Sequence, residues 1–396
     1  MGADKEQRAW SALDQFRIEL PSWGFANTGT RFGKFLQPGA ATSIEEKFAD
    51  AGEVHKLTGV CPTIALHVLW DLPDGKSSTG EIHELARKYG ILPGSVNPNT
   101  FQDQEYKNGS LGNPDESIRR RALEHLFDSI KIAERLGSRD ISLWFADGSN
   151  YPGSANIRRR KSWLAEGLKQ AHDSLAAGQR LLLEYKPFEP FFYHTDVGDW
   201  GMSLLLARSA GADAKVLVDT GHHYAAQNIE QIVAWLLSED MLGGFHFNDR
   251  RYADDDLTIG SIDPYQVFRI FHEIAFFEFD TGAKADIAYM IDQSHNIKGK
   301  MEAMVQTVMA AQELFTKAAM VDHKRLAEAQ SSADIVGAEE CLRDAFATDV
   351  RPMIESWRKS KGLPANPLRA LYESGYVESI SSARAEKNMA AISSYA

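Results

Sequence analysis

Eight short runs rich in β-branched and aromatic residues recur along the chain: "IELPSWGF", "TIALHVLW", "LPGSVNP", "DISLWFAD", "RLLLEYK", "KVLVDT", "GGFHFN" and "IAYMID". Amphipathic stretches such as "SIEEKFADAGEVHKL", "PDESIRRRALEHLFDSIKIAERLG", "RKSWLAEGLKQAHDSLAAG" and "NIEQIVAWLLSEDML" separate them. Strand candidates that alternate with helices need a parallel sheet covered by those helices. Eight such units fit an α/β (β/α)8 TIM barrel better than an open doubly wound sheet. No glycine-rich G-x-G-x-x-G follows the first strand, so a dinucleotide-binding fold has no motif support. Asn113-Pro114-Asp115-Glu116 reads as a helix start, with a cap, an early proline and acids near the positive end of the dipole. Gly137 and Gly178 stand where helices are expected to stop.

The division expected is a catalytic barrel over residues 1–296 and a helical arm over residues 297–396. The arm contains "KMEAMVQTVMAAQELFTKAAMVD", "GAEECLRDAFATDVRPMIESWRKSKG" and "PLRALYESGY". Its apolar faces require cover from the barrel or from a neighbouring subunit. No linker rich in Gly, Ser or Pro makes it an independent domain.

The formal net charge of -12 disfavours nucleic acid as a partner. Two basic runs, Arg119–Arg121 and Arg158–Lys161, read as solvated helix faces paired with acids on neighbouring elements; a nucleic-acid patch is the alternative, and the overall acidity counts against it. The two cysteines, Cys61 and Cys341, make neither a disulfide framework nor a four-thiol zinc site. The absence of a long apolar run excludes a membrane-spanning helix, and the polar start has no secretory core. A cytoplasmic protein is the expectation.

Ionisable residues cluster where strands five to eight end. Glu184 and Lys186 close "RLLLEYK", and Asp219 and His222 close "KVLVDTGHH". "GGFHFND" holds His246, its loop brings Asp254 and Asp256, and Asp292 ends "IAYMID". All lie at or beyond carboxyl ends, the face on which barrel active sites are built. Five buried acids repel one another unless partnered. Lys186 and two neutral imidazoles do not balance them, whereas two divalent cations leave one negative charge for the lysine to cancel. A carboxylate-rich set with a minority of imidazole suits Mn, Co or Mg better than structural zinc. His223 and His295 read as structural. Asp249 is either a turn cap or a further ligand. Trp23, Trp70 and Trp144 are either barrel core or a wall on which the apolar face of a sugar stacks. His67 faces the same mouth if the register is right.

These residues lie in "PSWGFANTGTRFGKF", "LHVLWD", "NPNTF", "LWFADGSNYPG", "EYKPFEPFFY", "VDTGHH", "GGFHFNDRRYADDDL" and "MIDQSHN". With them the chain, from about Pro21 onward, resembles the bacterial L-rhamnose isomerases of broad specificity and, more distantly, the xylose isomerases. The resemblance implies a metal-dependent aldose–ketose isomerase with two divalent ions per subunit, Mn2+ first and Co2+ or Mg2+ as alternatives. It also implies a homotetramer. Glu184, Asp219, His246 and Asp292 match the ligands of a structural metal. Asp219 bridges to a catalytic metal completed by His222, Asp254 and Asp256. Lys186 matches a lysine that hydrogen-bonds the sugar O1, and His67 a histidine at the ring-oxygen end of the substrate. Trp23, Trp70 and Trp144 match substrate-lining aromatics, and Phe32 an aromatic that reaches the neighbouring subunit's site. "LHVLWD" has leucine where proline is common, and the residues after Lys186 differ from the pattern. These departures bear on sugar preference and leave the ligands intact.

The expected reaction takes L-rhamnose to L-rhamnulose, with other aldoses such as D-allose as further substrates, by a hydride shift from C2 to C1. Lys186, Asp292 and His67 are the expected catalytic groups. Proton transfer through an enediol is the second route. Two rival functions are a metal-dependent barrel phosphodiesterase, which the acidic balance and the tryptophans oppose, and a non-catalytic metal-stabilised scaffold, which needs no lysine aimed at the acids.

Overall fold

The computed structural model describes residues 2–27, 35–187, 195–294 and 297–390. Eight parallel strands follow one another in chain order around a barrel. They are β1 Leu20–Pro21, β2 Thr63–His67, β3 Leu92–Asn97, β4 Asp140–Trp144, β5 Arg180–Glu184, β6 Ala214–Asp219, β7 Leu242–Phe247 and β8 Ala288–Ile291. Glu19 closes the ring: its N–H donates to the Tyr289 carbonyl at 2.8 Å, and its carbonyl accepts from Ile291 N–H at 3.0 Å.

The period of two along each strand explains the layering. Leu181 and Leu183, Val216 and Val218, and Phe245 and Phe247 belong to the large core between strands and helices. Leu182, Leu217 and Met290 form a small separate cluster with Ala288 in the barrel interior. Glu184, Asp219, His246 and Asp292 each lie two residues beyond Leu182, Leu217, Gly244 and Met290. They therefore share the interior face, one layer nearer the mouth. Both faces of these strands are buried, which is why the runs read as almost continuously apolar.

The outer ring contains α2 Ile44–Thr58, α3 Thr79–Tyr89, α4 Glu116–Leu136, α5 Ile157–Asp173, α6 Trp200–Ala210, α7 Ile229–Ser238 and α8 Pro264–Thr281. α9 Lys300–Ala318 packs against both α8 and α2, after β8. α1 Gly2–Gln15 packs on α9 from outside the ring. Ser43, Asp115, Asn156, Asp199, Asn228 and Asp263 cap helix N-termini through their side chains. The cap of α4 is thus Asp115; Asn113 stands two residues earlier and accepts from Asp115 N–H at 2.9 Å. Gly137 ends α4 in the left-handed conformation, φ 70°. Gly178 does not end α5, which stops at Asp173; its φ of 83° serves the turn into β5 instead.

The remaining helices are α10 His323–Ser331, α11 Ile335–Ala347, α12 Arg351–Ser360, α13 Pro367–Glu373 and α14 Tyr376–Ala390. They lie back on the protein's own barrel. Trp357 Nε1 donates to Asp14 at 2.9 Å, and Arg358 donates to Gln312. Arg384 forks onto the buried carboxylate of Asp50 at 2.7 and 3.0 Å. In the first basic run Arg121 pairs with Asp103 and Glu105, and Arg119 lies over the Trp163 ring; in the second, Arg158, Arg159 and Lys161 are exposed on α5. Arg160 is the exception, a fully buried guanidinium.

Candidate active site

The strand ends bring Glu184, Asp219, His246 and Asp292 together, with one potential ligand atom from each within 4.8 Å of the others. Asp219, His222 and Asp254 form a second such group, so Asp219 is common to both. All but Asp292 are buried; Asp292 is half-buried at the mouth. Asp256 lies outside both groups, in a left-handed conformation with φ 50°. Its charge nevertheless helps to raise the pKa of Asp219 and of Asp292.

The imidazoles are set by their neighbours. His222 Nδ1 is 2.8 Å from the Tyr185 carbonyl. A carbonyl only accepts, so Nδ1 carries the proton and Nε2 turns its lone pair toward the second group. His246 Nδ1 faces Glu184 at 3.0 Å and Asp292 at 3.5 Å. Burial opposes its imidazolium form, but the Glu184 charge and hydrogen bond overcome this and lift it to about 10. Burial also raises Asp219, helped by the Glu184 and Asp292 charges. Burial again leads for Asp292, which stands at about 6.

Among the described residues, the buried oxygens Glu184 Oε1 and Asp219 Oδ2 find no hydrogen-bond donor. Unsatisfied buried anionic oxygens are costly in an apolar interior, and a divalent cation relieves that cost. The donor set of carboxylates and single imidazoles fits the hard, oxygen-preferring ions. Asn248, two residues past His246 on the same face, steadies the centre. Its side-chain amide donates to Asp219 Oδ1 at 3.1 Å and to the Asp292 carbonyl at 3.0 Å. Sequence reading passed over it, although the period of two along "FHFN" points to it. Gly221 is required by close approach: a Cβ there would lie 2.6 Å from Asn248 Oδ1, 2.9 Å from Asp254 Oδ1 and 3.1 Å from Asp219 Oδ1.

Lys186, wholly buried, donates to Asp254. Its Nζ is 3.2 Å from His222 Nε2 and 5.2 Å from the centre of the Trp144 ring. An aromatic wall rises beside it. Trp23 meets His67 edge-on at 6.1 Å, His67 stacks on Trp70 at 3.7 Å, and Phe101 joins His67, Trp70 and Trp144. Phe101, from the "NPNTF" loop, was not singled out from sequence. Trp23 does more than line the wall, since its Nε1 donates to Asp292 Oδ1 at 2.8 Å. The Trp144 Nε1 is buried with no acceptor among the described residues.

His67 Nδ1 is 3.0 Å from the Val68 carbonyl, so its Nε2 keeps a lone pair. Burial holds the ring neutral, at about 4. Behind it, Asp71 accepts from His67 N–H at 2.7 Å, Ser22 at 2.5 Å and Lys47 at 2.6 Å. These bonds pin a loop in which Leu69 holds a φ of 80°. His223 is structural: it pairs with the Tyr185 hydroxyl at 2.6 Å, and burial depresses it to about 3. Asp249 caps the following turn, accepting from Arg250, Ile262 and Asp263 N–H groups. Phe32 and His295 lie outside the described residues.

Fold and site together define a parallel barrel with a carboxylate–imidazole centre at its carboxyl-terminal mouth. The profile of the xylose isomerase-like TIM barrel family matches residues 61–289, and the chain belongs to that family. A probable sugar isomerase of Rhizobium meliloti is 39% identical over 366 residues, spanning 91% of this chain and 84% of the relative. An L-rhamnose isomerase of Bacteroides thetaiotaomicron is 26% identical, spanning 82% and 78%. Among solved structures, a xylose isomerase domain protein of Alicyclobacillus acidocaldarius superposes with a TM-score of 0.54. It is 16% identical and covers 76% of this chain and 99% of its own, a likeness of fold.

Proposed function

We propose that the protein is a divalent-metal-dependent aldose–ketose isomerase that converts L-rhamnose to L-rhamnulose and accepts other aldoses such as D-allose. The observation that carries this reading is the pair of ligand groups sharing Asp219, with the Lys186 ammonium and an aromatic wall on the same mouth. Likeness to sugar isomerases supports the substrate class. Glu184, Asp219, His246 and Asp292 would hold one ion, and Asp219, His222 and Asp254, with Asp256 as a further ligand, a second; Mn2+ is the first choice, with Co2+ or Mg2+ next. Bound there, the ions supply Lewis acidity and a fixed template for sugar hydroxyls.

The chain's own groups supply the rest. Neutral His67 takes the proton of the anomeric hydroxyl on Nε2 as the bond from C1 to the ring oxygen breaks, and returns that proton to the freed ring oxygen; Asp292 is a second proton carrier. Lys186 donates to O1 as negative charge develops there. Trp23, Trp70, Phe101 and Trp144 cover the apolar face of the sugar and exclude water, and the Trp144 N–H offers a spare donor for a hydroxyl. Within that wall the hydrogen passes from C2 to C1 as hydride, while the proton leaves O2 and is delivered to O1. The subunits assemble as a homotetramer in which Phe32 closes a neighbour's site. The exposed Phe35, Leu69, Tyr151 and Tyr252 around the mouth support such cover.

The test is purified protein with Mn2+, a panel of aldoses including L-rhamnose and D-allose, and detection of ketose. L-rhamnulose formed with metal and lost with EDTA is expected. No ketose from any aldose would overturn the proposal.

A further inference from the structure

We infer that Arg160 and Asp196 are a positioning pair that sets the place of Lys186. The inference rests on the isomerase reading for its kinetic test, and on geometry alone for its structural one.

Arg160 lies in α5 and is 2% exposed. Its Nε meets Asp196 Oδ1 at 2.5 Å and its Nη2 meets Oδ2 at 2.6 Å, a two-pronged contact; Nη1 donates to the Asn108 carbonyl at 2.8 Å. Such a fork fixes a carboxylate in both distance and plane. Asp196 N–H in turn donates to the Asp147 carbonyl at 3.2 Å, and the Asp147 carboxylate accepts from Ser110 N–H at 2.5 Å. The loops after β3, β4 and β5 therefore converge on one ion pair.

Three glycines make room for it. A Cβ at Gly109 would lie 2.2 Å from Arg160 Nη2, one at Gly148 2.1 Å from Asp196 Oδ2, and one at Gly112 2.6 Å from the same oxygen. Backbone from two loops has closed over the pair until no side chain fits.

The pair reaches Lys186 through the residues on either side of Asp196. Lys186 N–H donates to the Val197 carbonyl at 2.9 Å. Thr195 Oγ1 donates to the Lys186 carbonyl at 2.6 Å. Lys186 lies past the end of β5, where Thr195 and Val197 hold its backbone, and Arg160 anchors the residue between them. A buried pair broken on one side leaves an uncompensated charge, so loosening it moves the segment that carries the Lys186 backbone. The lysine Nζ must meet the reacting oxygen, and a displacement of about 1 Å costs on the order of a hundredfold in rate.

The test uses Arg160→Lys and Asp196→Asn, alone and combined with Lys186→Met. Each single variant should lower kcat by roughly ten- to a hundredfold, with KM and bound metal unchanged. In the Lys186→Met background the same substitutions should cost less than about twofold, because the group they position is gone. Equal losses in both backgrounds would overturn the inference. Hydrogen exchange supplies a readout that needs no activity. The Lys186 amide should exchange faster in Asp196→Asn while amides within β5 keep their protection. An unchanged Lys186 amide would overturn the inference. A faster one in a protein that isomerises no aldose would uphold the positioning and refute the isomerase reading.

Discussion

At the residue scale the site is a problem of crowded charge. Asp219 belongs to both ligand groups, so Asp219→Asn should weaken two ions at once, read by calorimetric metal titration; a variant that loses only one would refute the shared role. Gly221→Ala should cut metal affinity with little change in helix content, because its methyl group would press on the Asp219 and Asn248 oxygens. Lys186→Met should cost turnover by about a hundredfold or more while leaving metal affinity intact. Protonation follows from the same crowding. His246 at about 10 and Asp292 at about 6 both stand above their ordinary values of 6.5 and 3.8. Their contributions to the metal-free fold are complete below those ordinary values and are lost as pH rises through the folded ones. Metal binding requires the deprotonated forms. The gap in melting temperature between metal-loaded and EDTA-treated protein should therefore widen from pH 6 to pH 9, and a narrowing gap would refute this account.

At the scale of elements, the C-terminal helices are held by few but buried contacts. α14 is fastened through Arg384, whose guanidinium forks onto Asp50 of α2, and through the Tyr376 hydroxyl, 2.7 Å from the same carboxylate. Removing one partner of a buried pair costs roughly 3–5 kcal/mol. Asp50→Ala should release α14 before the barrel melts, so limited proteolysis should cut within 376–390 first. A wild-type cleavage pattern would show that the pair does not carry the docking. At the same helix α2, Lys47 holds Asp71, which restrains the turn with the left-handed Leu69, and this turn places Trp70 against His67.

At the scale of the whole molecule, barrel and centre stabilise each other. On the proposed function, ions bind the folded arrangement and not the open chain, so metal at about a hundred times its dissociation constant should add roughly 2.7 kcal/mol to stability. An unchanged melting temperature after metal has demonstrably left would contradict this. No helix among the described residues is long and apolar enough to cross a membrane. The route of the hydrogen is also a whole-site property. A hydride passed behind the aromatic wall does not meet solvent, so the ketose formed in heavy water should carry little deuterium at C1. Near-complete labelling would establish proton transfer through a base, and His67 and Asp292 would be the first residues to substitute.

The barrel was legible in the order of its elements, because eight apolar runs separated by amphipathic helices leave few ways to bury both faces. The clustering of the ionisable residues was legible for a related reason: a charge that ends an apolar strand must face the mouth, and strand alternation places Glu184, Asp219, His246 and Asp292 on one interior face. Sequence could not assign Asp249, because a carboxylate that caps a turn and one that faces a cation look alike in one dimension. Nor could it reveal that Asn248 steadies Asp219, that Trp23 bonds Asp292, or that Arg160 lies beneath Asp196 rather than in solvent with its basic neighbours. Those contacts join residues tens to hundreds of positions apart. Only closure of the ring and packing of its loops brought them within hydrogen-bonding distance.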